Sequence, residues 1–291
     1  MTGWHIGVIG GSGLYGVDGI EGGEWVDVAS PWGEPSDAIF TGRLGDVRVS
    51  FLPRHGRGHG IAPSDLNARA NIDCLKRLGV TDILSVSSVG GLSEARAPGT
   101  FTIVDQFIDR TRGRPSSFFG TGMVAHVSMA DPVCPRLSQL AGDAAEAAGA
   151  TVHRGGTCLV MEGPQFSTRA ESHLYRSWGC CVIGMTAMPE AKLAREAELP
   201  FAMIGMVTDY DCWREEEAGV DVAQVIAQLS ANAANARATV LNLLRALPSE
   251  RAPSATDTCL DTALITAPPA RDPDLLARLD AVAGRAFAAG R

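Results

Sequence analysis

Two carboxylic acids, Asp209 and Asp211, follow an apolar run in the segment TDYDCW. Residues two apart on a continuing strand point to the same face, so we expect both side chains to face one site. A carboxyl group at such a place is suited to proton transfer or to hydrogen bonding with a heterocyclic base. A calcium site or a turn-forming acidic cluster is the alternative interpretation of the pair.

Candidate anion donors follow two other apolar runs. Arg54 and His55 in FLPRHGRGHG come directly after a run, where an open α/β sheet collects its ligands, and arginine offers a planar two-pronged grip on phosphate. Ser87 and Ser88 in SVSSVGGL add hydroxyl and N–H donors. A solvated basic turn is the alternative. His55 and His59 have a helical metal-ligand spacing, but three glycines argue against a helix, so we predict no metal site.

The segment IGVIGGSGLYG contains a G-x-G-x-x-G pattern from Gly11 to Gly16. In a dinucleotide-binding fold a helix opens on the last glycine of this pattern. Residues 15–23 instead carry four glycines without a helical period. We therefore predict a loop whose N–H groups and Ser12 hydroxyl hold a small anion, with a nicotinamide or flavin site as the alternative.

Two further junctions carry residues that suit a nucleoside. Phe166 stands in VMEGPQFSTRAES, and Met185 and Thr186 stand in GMTAMPEA. A flat ring would fit between Phe166 and apolar neighbours. Each of these side chains could equally belong to the core.

The elements that must position these residues alternate between strand and helix. The predicted strands are nearly continuous in apolar residues, which is typical of strands covered on both faces: HIGVIG, VRVSFLP, DILSVSSVG, FTIVDQFI, TCLVMEG, CCVIGM and FAMIGMVTD. Helices are predicted at residues 63–78, 135–149, 167–179, 189–199, 222–247 and 273–290. This alternation predicts an α/β fold, a single domain with a central mixed, mostly parallel sheet flanked by helices.

Capping and punctuation refine this outline. Ser167 or Thr168 is the predicted N-cap of the third helix, with Glu171 completing a capping box. We assign residues 1–247 to one domain. Residues 248–291 form a linker and a C-terminal helical tail, packed on that domain or on a neighbouring subunit, with an exposed linker predicted at PSERAPSAT.

Composition excludes several classes of protein. A net charge of −8 argues against a general nucleic-acid surface. No apolar run is long enough for a membrane helix, and the N-terminus has no signal-peptide pattern, so we expect a cytoplasmic protein with no membrane partner. The seven cysteines form no C-x-x-C pair and are expected to be buried, reduced thiols.

Seven motifs together resemble the S-methyl-5′-thioadenosine phosphorylases, which are trimeric purine nucleoside phosphorylases: IGVIGGSGL, RHGRGH, NARANI, IVDQFIDRT, EGPQFSTRAES, GMTAMPEA and TDYDCW. The resemblance covers about residues 6–247, and the joint pattern is specific although no single motif is. It implies that inorganic phosphate attacks C1′ of the nucleoside and releases adenine and 5-methylthioribose 1-phosphate. It also implies a homotrimer that uses phosphate as a co-substrate and needs no metal or organic cofactor.

The resemblance further implies a role for each matching residue. The phosphate donors would be Ser12, Arg54, His55, Ser87, Ser88 and Thr186. Ser12 stands where many relatives have threonine, and Ser87–Ser88 replaces a threonine–alanine pair. Because hydroxyl donors survive these changes, phosphate binding is still expected.

On the nucleoside side, Met185 would contact the ribose hydroxyls and Phe166 would pack on the purine. Asp209 and Asp211 would read N7 and the 6-amino group. The 5′ end of the sugar would meet His126 from a neighbouring subunit. An apolar pocket for the methylthio group would be formed by one helix face, made of Val222, Val225 and Ile226.

Elementary chemistry agrees with phosphorolysis. Breaking the glycosidic bond develops positive charge on the sugar, which phosphate stabilises, and negative charge on the purine, which a protonated carboxyl relieves. Asp209 must then be neutral, so we expect a dry pocket that raises its pKa. The alternatives are a phosphorylase of 5′-deoxy- or 5′-halo-5′-deoxyadenosine, a 6-oxopurine nucleoside phosphorylase, and a non-catalytic nucleotide-binding module. Two carboxylates at the base favour a 6-amino group over a 6-oxo group.

Overall fold

The computed structural model of the chain describes residues 3–11, 14, 18–214 and 221–289. Within them one sheet contains eleven strands: β1 His5–Gly10, β2 Glu21–Val26, β3 Ile39–Leu44, β4 Val47–Pro53, β5 Asp82–Gly91, β6 Phe101–Val104, β7 Gln106–Asp109, β8 Val152–Arg154, β9 Thr157–Val160, β10 Cys180–Gly184 and β11 Phe201–Asp209. The α-helices are α1 Ala68–Arg77, α2 Pro135–Ala147, α3 Arg169–Ser177, α4 Ala187–Glu196, α5 Val222–Ala246, α6 Pro273–Arg278 and α7 Asp280–Ala289.

Strand β5 is the branch point of the sheet. The main path runs β2-β3-β4-β1-β5-β10-β9-β7. A second path leaves β5 through β11, which pairs with β6, and β6 in turn pairs with β8. Six of the ten strand pairings are parallel, which confirms the predicted mixed, mostly parallel sheet. Because β4, β1, β5 and β11 run parallel to one another, their carboxyl ends point toward the same side of the sheet.

Helices cover both faces of the sheet. Alternate residues of β5 enter different apolar clusters: Ile83 packs with residues of α1, α4 and α7, whereas Leu84 packs with residues of α2 and α5. Side chains of a strand alternate between its faces, so a strand covered twice must be apolar throughout. This burial explains the nearly continuous apolar runs and confirms the predicted α/β architecture.

Strands were found wherever they were predicted, but three were missed and one was divided. FTIVDQFI forms two strands, β6 and β7, because β6 pairs with β11 and β8 whereas β7 pairs with β9. Strands β2, β3 and β8 were not predicted. Strand β2 is exposed and rich in glycine, yet the glycines fit, since a Cβ on Gly23 would lie 2.4 Å from the Phe40 ring.

The segment after the glycine loop bears on the dinucleotide alternative. Residues 18–26 form a turn and strand β2 rather than a helix. A dinucleotide site needs a helix there, so this part of the chain agrees with the smaller anion loop. Ser12 and residues 15–17 lie outside the described residues.

The helices match their predictions except at certain ends. Thr168 caps α3 with the predicted capping box: its hydroxyl accepts from the Glu171 N–H at 3.2 Å, and the Glu171 carboxylate accepts from the Thr168 N–H at 2.8 Å. Helix α1 was predicted to begin near Pro63 but begins at Ala68. The Asn67 side chain caps the helix and also donates to the Trp32 and Glu34 carbonyls of the loop between β2 and β3, which holds residue 67 outside the helix.

The C-terminal tail is held by buried charges. The exposed linker predicted at 248–256 is wrong at Arg251, whose guanidinium pairs with Asp82 at 2.5 Å and Asp257 at 2.6 Å. The single predicted terminal helix is divided into α6 and α7 around Leu279, which is fully buried in the core. The division of the chain at residue 247 stays a prediction.

All seven cysteines are free thiols; Cys74, Cys134, Cys158 and Cys180 are buried, and the other three are half-buried.

Among the described helices, none combines the length and the apolar character that crossing a bilayer requires.

Candidate active site

Arg54 follows β4 as predicted, but it lies under the site rather than open to it. Its side chain is 3% exposed, and its Nε and Nη2 atoms donate to the two oxygens of Glu190 at 2.6 and 3.2 Å. Nη2 also donates to Ser85 Oγ at 2.7 Å and to the Ile9 carbonyl at 3.2 Å, and Nη1 donates to the Val86 carbonyl at 3.0 Å. The edge of the Arg54 fork formed by Nε and Nη2 is thus bound to a carboxylate, and the assignment of Arg54 to phosphate stays a prediction.

His55 is a neutral imidazole in this fold. Burial lowers its pKa to about 4, and the charge of Arg54 contributes to the shift. Its Nδ1 lies 2.8 Å from the Ile61 carbonyl, which can only accept, so Nδ1 carries the proton and Nε2 is left as an acceptor. The His59 ring stacks on it at 4.2 Å between centroids. His55 thus offers a ring acceptor, not a cationic donor.

Two of the predicted hydroxyl donors meet. Ser87 Oγ on β5 and Thr186 Oγ1 lie 3.4 Å apart, and both residues are buried. Thr186 occupies the N-cap position of α4, yet its hydroxyl makes no capping bond, so it is directed toward Ser87 instead. Ser88 is half-buried, and strand alternation sends its side chain to the face opposite Ser87. The Ser12 hydroxyl belongs to the part of the chain that is not described.

The two acids are brought together by a turn, not by strand alternation. Strand β11 ends at Asp209, and Asp211 follows in a turn with φ +52°. Asp209 Oδ1 accepts from the Asp211 N–H at 2.7 Å, and its Oδ2 accepts from the Thr208 hydroxyl at 2.7 Å. Gly90 on β5 makes room for both, since a Cβ there would lie 2.9 Å from Asp209 Oδ1.

Both acids have an environment that favours the protonated form. Burial raises the pKa of Asp209, although hydrogen bonds from Thr208 and from the backbone of Asp211 oppose the shift. Burial also raises the pKa of Asp211, and the nearby charge of Asp209 raises it further. Close carboxyls with raised pKa values hold a proton up to higher pH than free carboxyls do, as a general acid requires.

Met185 and Phe166 lie on two loops that a buried arginine joins. Arg114 donates to the Met185 carbonyl at 2.6 Å and to the Met188 carbonyl at 3.0 Å, and it binds both the carboxylate and the carbonyl of Glu162. Phe166 follows Glu162 in the same loop and is 43% exposed. Gly163 lets Met185 pack closely, because a Cβ there would lie 2.5 Å from the Met185 sulfur.

His126 is exposed and lies on a segment that pairs with the C-terminal tail. Its N–H donates to the Ala263 carbonyl at 2.9 Å, and Ile265 N–H donates to the Val124 carbonyl at 2.9 Å. The contacts seen among the described residues do not join His126 to the predicted site residues of its own chain. The tail therefore fixes the backbone beside His126 while the ring faces outward.

The predicted apolar pocket residues form the start of α5. Asp221 caps this helix by accepting from the Ala223 N–H at 2.9 Å. Val222 and Ile226 are each 58% exposed, and Val225 is half-buried. Val222 and Ile226 lie four residues apart, so they form one exposed apolar strip at the start of α5.

The structure joins the predicted residues into groups along neighbouring strand ends. Ser87 and Thr186 form one pair next to the Val86 carbonyl that binds Arg54, and Asp209 and Asp211 form another group around Gly90. Sequence reasoning missed the residues that hold these groups in place: Ser85, Gly90, Arg114 and Glu190. Glu190 lies within GMTAMPEA and Ser85 within DILSVSSVG, but a buried contact between positions 105 residues apart leaves no local signal.

Comparison with known proteins gives a consistent assignment. The phosphorylase superfamily model matches residues 5–245. The S-methyl-5′-thioadenosine phosphorylase of Cereibacter sphaeroides is 61% identical over 96% of this chain and 97% of its own length, and that of Bradyrhizobium diazoefficiens is 55% identical over 98% and 99%.

Solved structures agree with the sequence comparison. A methylthioadenosine phosphorylase from an Antarctic soil metagenomic library is 45% identical, with a TM-score of 0.91, over 97% of this chain and 99% of that one. The methylthioadenosine phosphorylase of Schistosoma mansoni in complex with adenine is 38% identical, with a TM-score of 0.77, over 83% and 91%. The chain belongs to the phosphorylase superfamily and, within it, to the S-methyl-5′-thioadenosine phosphorylases.

Proposed function

We propose that the protein catalyses the phosphorolysis of S-methyl-5′-thioadenosine to adenine and 5-methylthioribose 1-phosphate, as a step of purine and methionine salvage. The observation that carries the proposal is the spacing on β5. Ser87 meets Thr186, and Gly90, three residues later, lies against Asp209 and Asp211. Three residues of strand span about 10 Å, which suits a phosphate under C1′ at one end and the purine imidazole at the other.

The phosphate would lie on the Ser87 and Thr186 hydroxyls and on one N–H of Arg54, with Ser12 and the backbone near Ser88 completing the site. His55 can join through its ring only as an acceptor, which suits a phosphate oxygen that carries a proton. A phosphate held beneath C1′ stabilises the positive charge that develops on the sugar as the glycosidic bond breaks.

The base would lie against the two acids. Asp209, whose pKa burial raises, donates a proton to N7 as negative charge develops on the purine. Asp211 accepts from the 6-amino group. Phe166 packs on the purine ring, and Met185 contacts the ribose hydroxyls.

The 5′ group and a second subunit complete the proposal. Val222, Val225 and Ile226 form an apolar wall for the methylthio group, and His126 of a neighbouring subunit reaches the same end of the sugar. The exposure of Val222, Ile226 and Phe166 in one chain supports a homotrimer that covers them. Thiols without a disulfide suit a reducing cytoplasm, and the chemistry needs no cofactor besides phosphate as co-substrate.

A panel of nucleosides at saturating phosphate tests the substrate. We expect the highest kcat/KM for methylthioadenosine, comparable values for 5′-deoxy- and 5′-chloro-5′-deoxyadenosine, and a lower value for adenosine, whose 5′ hydroxyl lacks a partner on the apolar wall. Methylthioinosine should be poor, because with the proton of the pair on Asp209 the Asp211 carboxylate is an acceptor that meets a second acceptor in a 6-oxo group. Equal values for methylthioinosine and methylthioadenosine would overturn the assignment of a 6-aminopurine substrate.

A further inference from the structure

We propose that Glu190 is a positioning residue of the phosphate site, which fixes the Arg54 guanidinium so that a single N–H is presented to phosphate. The proposal rests on the proposed function, in which phosphate is the co-substrate. Glu190 lies on α4, four residues after Thr186, and is 2% exposed. It contacts the guanidinium and not the reacting atoms, so its influence on the reaction passes through Arg54.

The contact is bidentate and closed by a third residue. Arg54 Nε lies 2.6 Å from Glu190 Oε1, and Nη2 lies 3.2 Å from Oε2. The Ser85 hydroxyl accepts from Nη2 at 2.7 Å and donates to Glu190 Oε2 at 3.2 Å. These bonds fix the guanidinium plane, because a planar fork bound at two atoms cannot rotate without losing both contacts.

Counting donors identifies the part of Arg54 left for a ligand. A guanidinium has five N–H bonds. The single Nε–H binds Glu190, both Nη2 hydrogens are used by Glu190, Ser85 and the Ile9 carbonyl, and one Nη1 hydrogen binds the Val86 carbonyl. The described residues provide no acceptor for the second Nη1 hydrogen. The Val86 carbonyl that binds the first Nη1 hydrogen is next to Ser87 in β5, so Nη1 lies beside the strand position of the hydroxyl donors.

Charge adds a second reason for the carboxylate. Arg54 and Glu190 are both about 3% exposed at their side chains, and a buried charge without a partner is strongly disfavoured. Glu190 neutralises Arg54 while the site holds no phosphate, and His55 is neutral. Without Glu190, the guanidinium would be drawn toward other acceptors or toward solvent and would no longer meet phosphate in one fixed direction.

Three variants test the proposal. Glu190→Ala removes the contact, whereas Glu190→Gln keeps one acceptor for Nε and can donate to Ser85. Glu196→Gln is the matched control, with the same substitution at a buried acid on the same helix that binds Ser117 and Phe118 instead of Arg54. We would measure KM for phosphate, KM for methylthioadenosine at saturating phosphate, and the phosphate concentration that raises the melting temperature when no nucleoside is present.

We expect Glu190→Ala to raise the phosphate KM at least tenfold and Glu190→Gln to raise it at least threefold. The nucleoside KM should stay within twofold, and the control should match the wild type in both constants. If Glu190→Ala does not fold, the phosphate KM of Glu190→Gln alone tests the proposal. A phosphate KM that is unchanged or lower in the folded variants would overturn the proposal.

The melting experiment separates this proposal from the proposed function. If the wild type released adenine without phosphate, the proposed function would fail. The phosphate-induced rise in melting temperature would still report on Glu190, because it needs no turnover. A variant that responds to phosphate as the wild type does would then overturn the positioning role alone.

Discussion

At the residue scale, the proposed chemistry depends on a carboxyl group that keeps its proton until the glycosidic bond breaks. Asp209 meets this need by burial, even though the Thr208 hydroxyl and the Asp211 N–H both stabilise its anion. Burial raises the pKa of Asp209 by more than these two hydrogen bonds lower it, and burial requires room for the side chain against β5. Gly90 provides that space, so the acid depends on a residue that carries no chemistry of its own.

Asp209→Asn should lower kcat on methylthioadenosine about 10²- to 10⁴-fold, with a smaller change in KM, because the proton is needed only as the bond breaks. Asparagine can donate a hydrogen bond but cannot transfer a proton, and it should increase the relative preference for methylthioinosine. Asp211→Asn should change base preference more than rate. Steady-state kinetics of both variants on both nucleosides measure this, and near-normal turnover by Asp209→Asn would exclude Asp209 as the acid.

The same acid gives a pH dependence. The active form of Asp209 is protonated and its pKa is raised, so wild-type kcat should fall as pH rises through that raised pKa. Asp209→Asn has no such group and should lose this alkaline limb while keeping its low rate. A pH profile of kcat for the two proteins checks the assignment, and an identical limb in both would refute it.

Gly90→Ala should impair catalysis without touching a charged group. The added Cβ would lie 2.9 Å from Asp209 Oδ1 and 3.1 Å from Ile183, so the acid must shift. We expect kcat/KM to fall at least tenfold, with a loss of about 1–3 kcal/mol in the free energy of unfolding. Gly284→Ala, whose Cβ meets no atom within 4 Å beyond its own helix backbone and chain neighbours, is the control for the kinetics. Wild-type kinetics in Gly90→Ala would mean that the acids tolerate displacement.

At the element scale, the site is assembled from strand ends that the sheet makes parallel and from loops that must be held to them. Strands β4, β5 and β11 deliver Arg54, Ser87 and Asp209 by register alone. The loop with Phe166 and the junction with Met185 have no such ladder. Arg114 joins them, since its side chain is 5% exposed and its guanidinium binds three backbone carbonyls and the Glu162 carboxylate.

Arg114→Lys should raise the KM for methylthioadenosine at least tenfold, because lysine keeps the charge but cannot bridge four acceptors in one plane. The phosphate KM should change less, since Ser87 lies on β5 and not on these loops. Arg112→Lys, two residues away and exposed, is the matched control. Equal effects on the two KM values would indicate general destabilisation instead of a lost loop contact.

At the scale of the whole molecule, one chain leaves the proposed sugar site open. His126 faces outward on a segment that the tail holds through Ala263 and Ile265, and the start of α5 is exposed. Neither the tail's contact with this segment nor its salt bridge to the sheet could be predicted from the sequence, because His126 and Ala263 are far apart in the chain and Arg251 is 169 positions from Asp82. In the sequence, Arg251 resembles any linker arginine.

All strands but β2, β3 and β8, most helices and the capping box of α3 could be predicted, because apolar runs, periodicity and capping residues are local properties. The position of Asp209 at the end of β11 followed from the same signal, but the turn that brings Asp211 beside it did not. The carboxylate partner of Arg54 could not be predicted for a related reason. Its partner Glu190 is 136 residues away, and only packing reveals that it takes the edge expected to hold phosphate.

Subunit complementation tests the shared site. His126→Ala and Asp209→Asn should each be severely impaired alone. Mixed by co-expression, they should regain activity, because a hybrid trimer contains sites where an intact Asp209 of one chain meets an intact His126 of its neighbour. Activity of the mixture no higher than that of the separate variants would place His126 in its own chain's site or outside any site.

Glu196 gives a pH dependence of stability. Burial raises its pKa from the ordinary value of 4.5 to about 7, so the folded state holds a proton that the unfolded chain releases. Stability from this group is full below about pH 4.5 and is lost as pH rises to about 7, a loss of about 3 kcal/mol at 1.36 kcal/mol per unit. Glu196→Gln should therefore melt higher than the wild type at pH 8. At pH 5 we expect a smaller difference in melting temperature between Glu196→Gln and the wild type. A variant that melts lower than the wild type at pH 8 would contradict the prediction.

The most direct measurement asks whether phosphate is consumed. Methylthioadenosine is incubated with the protein in phosphate-free buffer and in the same buffer with phosphate, while adenine is quantified by chromatography and the phosphorus products are followed by ³¹P NMR. We expect adenine only with phosphate, in equal amount to a new sugar 1-phosphate that gives its own phosphorus resonance. Adenine released at the same rate without phosphate, with no new phosphorus resonance, would mean that water is the nucleophile and would contradict phosphorolysis.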